Sequence, residues 1–311
     1  MSDDLIIRPA RPEDRAAVEQ VCAHTWEWGD YLPEVWDEWL ADQDAVMLVG
    51  EIGGHVVAVG RVAFLPYGQA WFEAMRVDPD YRQRGIARQF LQHKLDLARA
   101  QGNRLARLAT SASNMPVHRM MASAGMACVG AYVQWTAEPS DQGPQITFLS
   151  PEQAGPIQAF LQASPVLAHT RDLYSVNWAW QELSRRRAAD LLLAGQMVGL
   201  PGPAGSLQAL ALLQYSPDDD RLWIGYADGE PIAVTRLARG IRAHAAQVGA
   251  PKADIMLPDL PWLRDAFQQA GYDFGDWEGE LWIFEKYLSQ QGSAEIADTS
   301  TQPGTGGDRG C

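Results

Sequence analysis

In the first half of the chain, short apolar runs alternate with stretches where apolar residues return every three or four positions. Residues 5–8 predict a short strand, and Arg11-Pro12-Glu13-Asp14 predicts a helix start, because proline and acids suit the free amides there. The helix should reach about His24. Residues 45–51 and 55–65 are two apolar runs joined by Gly53-Gly54, a hairpin signal, and residues 71–77 predict a third strand. Ile86, Phe90, Leu91, Leu95 and Ala98 then keep helical spacing until Gly102. A strand at 104–110, a short helix at 116–124 closed by Gly125 and a strand at 127–136 complete the segment. Hairpins combined with a crossover helix place it in the α+β class, as a mixed, mostly antiparallel sheet flanked by helices.

The second half repeats this order. Residues 145–150 and Pro151-Glu152 resemble the opening strand and its acidic helix start. Residues 207–215 and 221–227 read as paired strands, and Pro231 opens a helix with Val234, Leu237, Ala238, Ile241, Ala245 and Val248 on one side. A strand at 253–257, a helix at 261–270 and a strand at 281–287 follow. Gly102 and Gly125 are 23 positions apart and Gly249 and Gly271 are 22 apart, while Ala124-Gly125-Met126 matches Ala270-Gly271-Tyr272. The pattern predicts a duplicated fold, with domains at 1–138 and 145–288 joined by the turn-forming Pro139-Ser140-Asp141-Gln142-Gly143-Pro144. Residues 289–311, rich in Ser, Gln, Thr, Gly and Asp, read as a disordered tail.

Composition narrows the partners. The 311 residues include 25 basic and 39 acidic side chains, a formal charge of -14 that repels a nucleic-acid backbone and suits a small molecule or a cationic acceptor. No apolar run approaches the roughly 20 residues that cross a bilayer, and the start of the chain lacks a signal-peptide pattern. Cys22, Cys128 and Cys311 are too few and too scattered for a disulfide framework, so a cytoplasmic location is expected. The six histidines are isolated, and no metal site is expected.

The chemistry concentrates at Arg82-Gln83-Arg84-Gly85-Ile86-Ala87, a turn into the helix. Helix amino termini present unpaired amides and partial positive charge, Gly85 admits close backbone approach, and Arg82 and Arg84 add cations in an acidic protein. Linked phosphates fit such a turn. With the preceding Val77-Asp78-Pro79-Asp80-Tyr81, this stretch resembles the acyl-CoA signature of the GNAT superfamily of N-acyltransferases, Arg/Gln-x-x-Gly-x-Gly/Ala after the fourth strand. Asn114 and the Ala124-Gly125-Met126 ending resemble that family's next motif. The signature-bearing match covers residues 5–136, and residues 145–287 look like a second copy without it, a tandem GNAT architecture.

The resemblance implies acetyl-CoA as cosubstrate. It implies that the amides of Arg82, Gln83, Arg84, Gly85, Ile86 and Ala87 cradle the pyrophosphate, that backbone near Met75, Arg76 and Val77 pairs with the pantetheine arm, and that Asn114 lies beside the cofactor. It further implies that the fourth and fifth strands splay apart, exposing backbone donors that polarise the thioester carbonyl. In the second copy, Tyr226-Ala227-Asp228-Gly229-Glu230-Pro231 puts two acids and an amide-free proline where the phosphate loop should be, so that copy should not bind CoA. It should close the acceptor site, form an interface or stabilise its partner.

Transfer to an amine needs a base, and Glu73, on the strand before the loop, is the candidate; a structural ion pair is the alternative role. Family members often protonate the leaving thiolate with a tyrosine seven positions after the residue matching Asn114, and here that position is Met121, which has no proton to give. Trp26, Trp28, Asp30 and Tyr31 fall where the family shapes its acceptor site; aromatic faces and a carboxylate suit a cationic amine, and core packing is the competing role for the tryptophans. The expected activity is direct acetyl transfer to a small-molecule or peptide amine. A non-catalytic acyl-CoA-binding or sensory module is the alternative, and a homodimer stays open.

Overall fold

A computed structural model of the chain describes residues 4–23, 29–216, 220–277 and 279–288. Packing divides the chain into two compact units. The first comprises Met1–Ala109, Met115–Cys128 and Phe284–Cys311, and the second Thr110–Asn114 and Val129–Ile283. The expectation of one cut between 138 and 145 differs from this division: residues 129–138 pack with the second unit and residues 284–288 with the first. The proposed tail at 289–311 lies outside the described residues.

In the first unit the order is β1 (Ile6–Pro9), α1 (Arg15–Cys22), α2 (Leu32–Ala41), β2 (Ala45–Ile52), β3 (His55–Leu65), β4 (Gln69–Val77), α3 (Ile86–Ala100), β5 (Leu105–Ser111), α4 (Met115–Ser123) and the start of β6 (Ala127–Ala137). Strands β1 to β4 form an antiparallel meander, and β5 joins β4 in parallel through the α3 crossover. The apolar stripes of α1 and α2 bury Val18, Val21, Cys22, Leu32 and Trp36 against Met47, Val49, Val59 and Ala74. Helix α3 buries Ile86, Phe90, Leu91, Leu95 and Ala98, the residues its spacing singled out.

The second unit contains β7 (Thr147–Phe148), α5 (Ala154–Gln162), α6 (Pro165–Thr170), β8 (Leu173–Val176), β9 (Ala179–Glu182), α7 (Arg185–Leu193), β10 (Met197–Pro201), β11 (Leu207–Gln214), β12 (Leu222–Gly229), α8 (Pro231–Val248), β13 (Ala253–Pro258), α9 (Pro261–Gln269), β14 (Asp273–Phe274) and the start of β15 (Glu280–Tyr287). Strands β10, β11 and β12 are antiparallel, β12 and β13 are parallel, and β6 lies antiparallel to β13, with Tyr132 opposite Pro258 and Ala137 opposite Ala253. This is the mixed, mostly antiparallel α+β fold expected. Asp254, fully buried, accepts from Gln134, Thr136 and Arg221, which fixes the β6–β13 register through a satisfied polar cluster.

Both units cut a parallel strand pair short. Pairing of β4 with β5 ends at Phe72 opposite Leu108, although β4 continues to Val77. Pairing of β12 with β13 ends at Ile224 opposite Ile255, although β12 continues to Gly229.

Candidate functional site

Strand β4 leaves the sheet through a single 3-10 turn, Pro79–Tyr81, in which the Asp78 carboxylate accepts the Asp80 amide at 2.8 Å. The chain then places Gln83 at φ +63° and Gly85 at φ +78° before α3 begins. Left-handed backbone costs a non-glycine residue about 1–2 kcal/mol, so Gln83 holds strain of the kind that collects at ligand loops. The first bond of α3 runs from the Gln89 amide to the Gly85 carbonyl, which leaves the amides of Ile86, Ala87 and Arg88 without an intrahelical acceptor. A Cβ built on Gly85 meets no atom within 4 Å, so the mouth of the turn is open.

The two loop arginines also hold the turn together. Arg82 donates to the Val77 carbonyl at 3.1 Å, and Arg84 donates to the Asp80 carbonyl at 3.2 Å while its guanidinium lies 4.9 Å from the Tyr81 ring centroid. Both remain exposed. The result is a cationic rim around free amides.

Upstream, β4 carries a bulge. Val59 faces Arg76 and Arg61 faces Glu73, so Gly60 alone stands opposite Ala74 and Met75, and Ala74 takes φ +57°. The bulge lies just past the last β4–β5 pair, in the stretch the sequence assigned to Met75, Arg76 and Val77. Expected splay and observed end of pairing coincide here.

Glu73 does not stand alone. Its carboxylate receives Arg61, whose other nitrogen reaches Asp42 and whose guanidinium lies 4.5 Å from the Trp39 ring centroid. Asp30 is occupied as well: its carboxylate accepts from Arg76 at 2.7 Å and from the Leu32 amide at 3.1 Å, and its side chain is 1% exposed. Arg76 also lies 5.5 Å from the Tyr31 ring centroid, and Tyr31 packs edge-on against Trp39. Thus Asp30 and Tyr31 come together with Arg76 around the start of α2. Trp26 and Trp28 lie outside the described residues. Asn114 falls in the second unit, where its Nδ2 donates to Thr110 Oγ1 at 3.1 Å.

Neither Met121 nor Cys22 supplies a proton donor in the first unit. Met121 is 1% exposed and serves the core of α4. Burial, with the nearby charge of Asp30, pushes the Cys22 thiol up to about 12, so it stays protonated and inert. Two residues were missed in the sequence, Arg61 and Lys94. Lys94 had a signal: it lies four positions from both Phe90 and Ala98, on the buried face of α3, where an apolar residue belongs.

In the second unit β12 passes into α8 without a phosphate loop. Asp228 is 1% exposed and uses its carboxylate internally, accepting from Ser164, from the Gly229 amide at 2.6 Å and from the Val166 amide at 3.4 Å, with the Tyr226 hydroxyl nearby. One carboxylate thus holds the Gly229 amide just before α8 and the Val166 amide at the start of α6.

Residues 14–126 match the family model described as the Acetyltransferase (GNAT) family. No curated protein matches the chain. Among solved structures, the chain is similar to a GCN5-related N-acetyltransferase from Sphaerobacter thermophilus, at 14% identity and TM-score 0.62 over 93% of this chain and 97% of that one. It is also similar to a tandem GNAT protein from the clavulanic acid biosynthesis pathway, at 14% identity and TM-score 0.56 over 92% and 99%. At such identities the likeness is one of fold. The chain therefore has the fold of a tandem GNAT protein, and its residues 14–126 match the acetyltransferase (GNAT) family.

Proposed function

We propose that the first unit transfers an acetyl group from acetyl-CoA to an amine by direct attack. The observation that carries this reading is the turn at residues 82–87, where strained Gln83 and left-handed Gly85 aim free amides and two arginines at one open mouth. A diphosphate would take those donors, and the pantetheine arm would follow β4 beyond its last pair with β5, at Met75, Arg76 and Val77. The amine nitrogen attacks the thioester carbonyl carbon, a C–N bond forms, the C–S bond breaks, and the amine's surplus proton leaves while the CoA thiolate gains one. Glu73 is the proposed proton acceptor, with Arg61 holding its orientation.

The acceptor is proposed to be a small-molecule or peptide amine entering beside Tyr31. Asp30 is proposed to orient Arg76 and Tyr31 beside that entrance rather than to pair with the amine, because its carboxylate is already engaged. The second unit is proposed not to bind CoA, since α8 opens on Pro231, which has no amide to donate, and Asp228 takes the Gly229 amide just before it. A cytoplasmic location accords with this cosubstrate.

Calorimetric titration with acetyl-CoA tests the reading. The parent should bind, Gly85→Glu should abolish binding, and unchanged affinity in that variant would reject the cradle. The buried Met121 favours a second reading, an acyl-CoA-binding module without turnover. Binding without thiol release across a broad amine panel would select it.

A further inference from the structure

Lys94 is buried to 3% exposure in the middle of α3, among Phe90, Leu91, Leu95 and Ala98. Its Nζ donates to the Glu73 carbonyl at 3.0 Å and lies 5.9 Å from the Phe72 ring centroid. The ammonium fits because Gly60 has no side chain: a Cβ there would come within 2.7 Å of Nζ and 2.9 Å of Cε. Gly60 is the residue that faces the bulged pair Ala74 and Met75. Three features therefore meet at one point: a missing Cβ, a buried lysine and the carbonyl of the residue that adjoins the bulge.

A buried lysine is costly, because desolvation disfavours its charge. An aliphatic residue would fill the same face of α3 without that penalty. What an aliphatic residue lacks is a donor for the Glu73 carbonyl, and without one the bulge loses the contact that holds it from the α3 side of the sheet.

We propose that Lys94 is a positioning residue for acyl transfer: seated in the space left by Gly60, it grips the Glu73 carbonyl and fixes the Ala74–Met75 bulge so that the backbone donors there keep their aim at the thioester. This rests on the acetyl-CoA reading above and extends it to a residue remote from the phosphate loop. Lys94 touches neither the amine nor the phosphates; it acts through the backbone of β4. Binding of the nucleotide end depends on residues 82–87 and should not sense it, whereas the rate of the chemical step should.

Two substitutions reach the contact from opposite sides. Lys94→Met removes the donor at similar volume, and Gly60→Ala pushes the ammonium off the carbonyl while leaving the lysine in place. Each should lower kcat by about tenfold or more, as misplacement of a transition-state donor does, with KM for acetyl-CoA and the calorimetric Kd for CoA staying within about twofold of the parent. The double variant should be no slower than the slower single one, because both remove one interaction. Parent-like kcat in both single variants, or kcat and CoA affinity falling together, would overturn the role of Lys94. If Lys94→Met does not fold, Gly60→Ala decides the question by the same two readouts. A parent that neither binds nor cleaves acetyl-CoA overturns the proposed function itself, whereas a parent that turns over while ignoring both substitutions overturns only this inference.

Discussion

The Nε of Arg107 in β5 lies 2.7 Å from Oε2 of Glu285 in β15, although 178 residues separate them in sequence. Their side chains are 4% and 13% exposed, and Gln69 Oε1 accepts from the same guanidinium. Two neighbouring bonds reinforce the placement: the Leu288 amide donates to the Arg104 carbonyl at 2.8 Å, and Lys286 donates to the Ala124 carbonyl. Residues 285–288 are thus a wall of the first unit.

Removing Glu285 would leave a buried guanidinium with one neutral partner. Glu285→Ala should destabilise the first unit by about 3 kcal/mol, the low end for breaking a buried pair. Urea denaturation measures this as a lowered midpoint, and acetyl-CoA should restore part of the loss by binding the folded unit. An unchanged midpoint would show that Gln69 alone suffices for Arg107.

The Glu73 carboxylate, held by Arg61, is the proposed base. Glu73→Gln keeps the shape and removes proton-accepting capacity, so the pH–rate profile of kcat should lie about 100-fold or more below the parent's while KM for acetyl-CoA holds. Overlapping profiles for parent and variant would leave the Glu73–Arg61 contact as a structural pair.

Much of this was legible in the sequence. Alternation placed β2, β3, β4 and β5 within one or two residues, and the glycine after a helical stripe marked the ends of α3 and α8, because these signals are local. The turn proposed to hold phosphate was legible for the same reason: Gly85 and its arginines lie within four residues. What alternation cannot show is which strand a strand will join. β6 and β15 were found near their bounds, yet their packing is set by Asp254 with Gln134 and by Arg107 with Glu285, pairs separated by more than 100 residues. Only the start of α5 was read, at Pro151-Glu152, and α6, α7 and the β8–β9 hairpin were not assigned, since residues 154–193 mix alanine, leucine and polar residues without a single period. The partners of Glu73 and Asp30 were not legible, because Arg61 and Arg76 stand 12 and 46 residues away and are brought in by the fold.

Asp228 tests the silence of the second unit. Calorimetry should give one acetyl-CoA per chain, and Asp228→Ala should leave the affinity unchanged while lowering the stability of the second unit by about 2–3 kcal/mol through its unpaired amides and Ser164 hydroxyl. A stoichiometry of two would show that β12 and α8 hold nucleotide after all.

Cys22 should behave as a buried, protonated thiol. Its pKa, raised to about 12, means that native protein at pH 8 should react with iodoacetamide at this position only as fast as it opens, and denaturant should release the full rate. Rapid native labelling of Cys22 would contradict its burial between α1 and the sheet.

Lys94 gives stability a pH dependence with a definite sign. Burial lowers its pKa from 10.5 to about 7, opposed by the charge of Glu73 and assisted by that of Arg76, the charged groups that face it from β4. Between pH 7 and 10.5 the unfolded chain therefore holds more protons here than the folded one, and this site's contribution to stability rises with pH, by at most about 1.4 kcal/mol per unit. Below pH 7 both states are charged and the burial penalty is fully present. Cys22 acts in the opposite sense, since a raised thiol pKa contributes stability that is lost as pH climbs above about 9. Comparison of the parent with Lys94→Met cancels the cysteine. The methionine variant should be the more stable at pH 7, its advantage should shrink toward pH 10, and it should remain the slower enzyme throughout. A variant less stable than the parent at pH 7, with no change in the difference up to pH 10, would mean that the ammonium is not desolvated as its surroundings require.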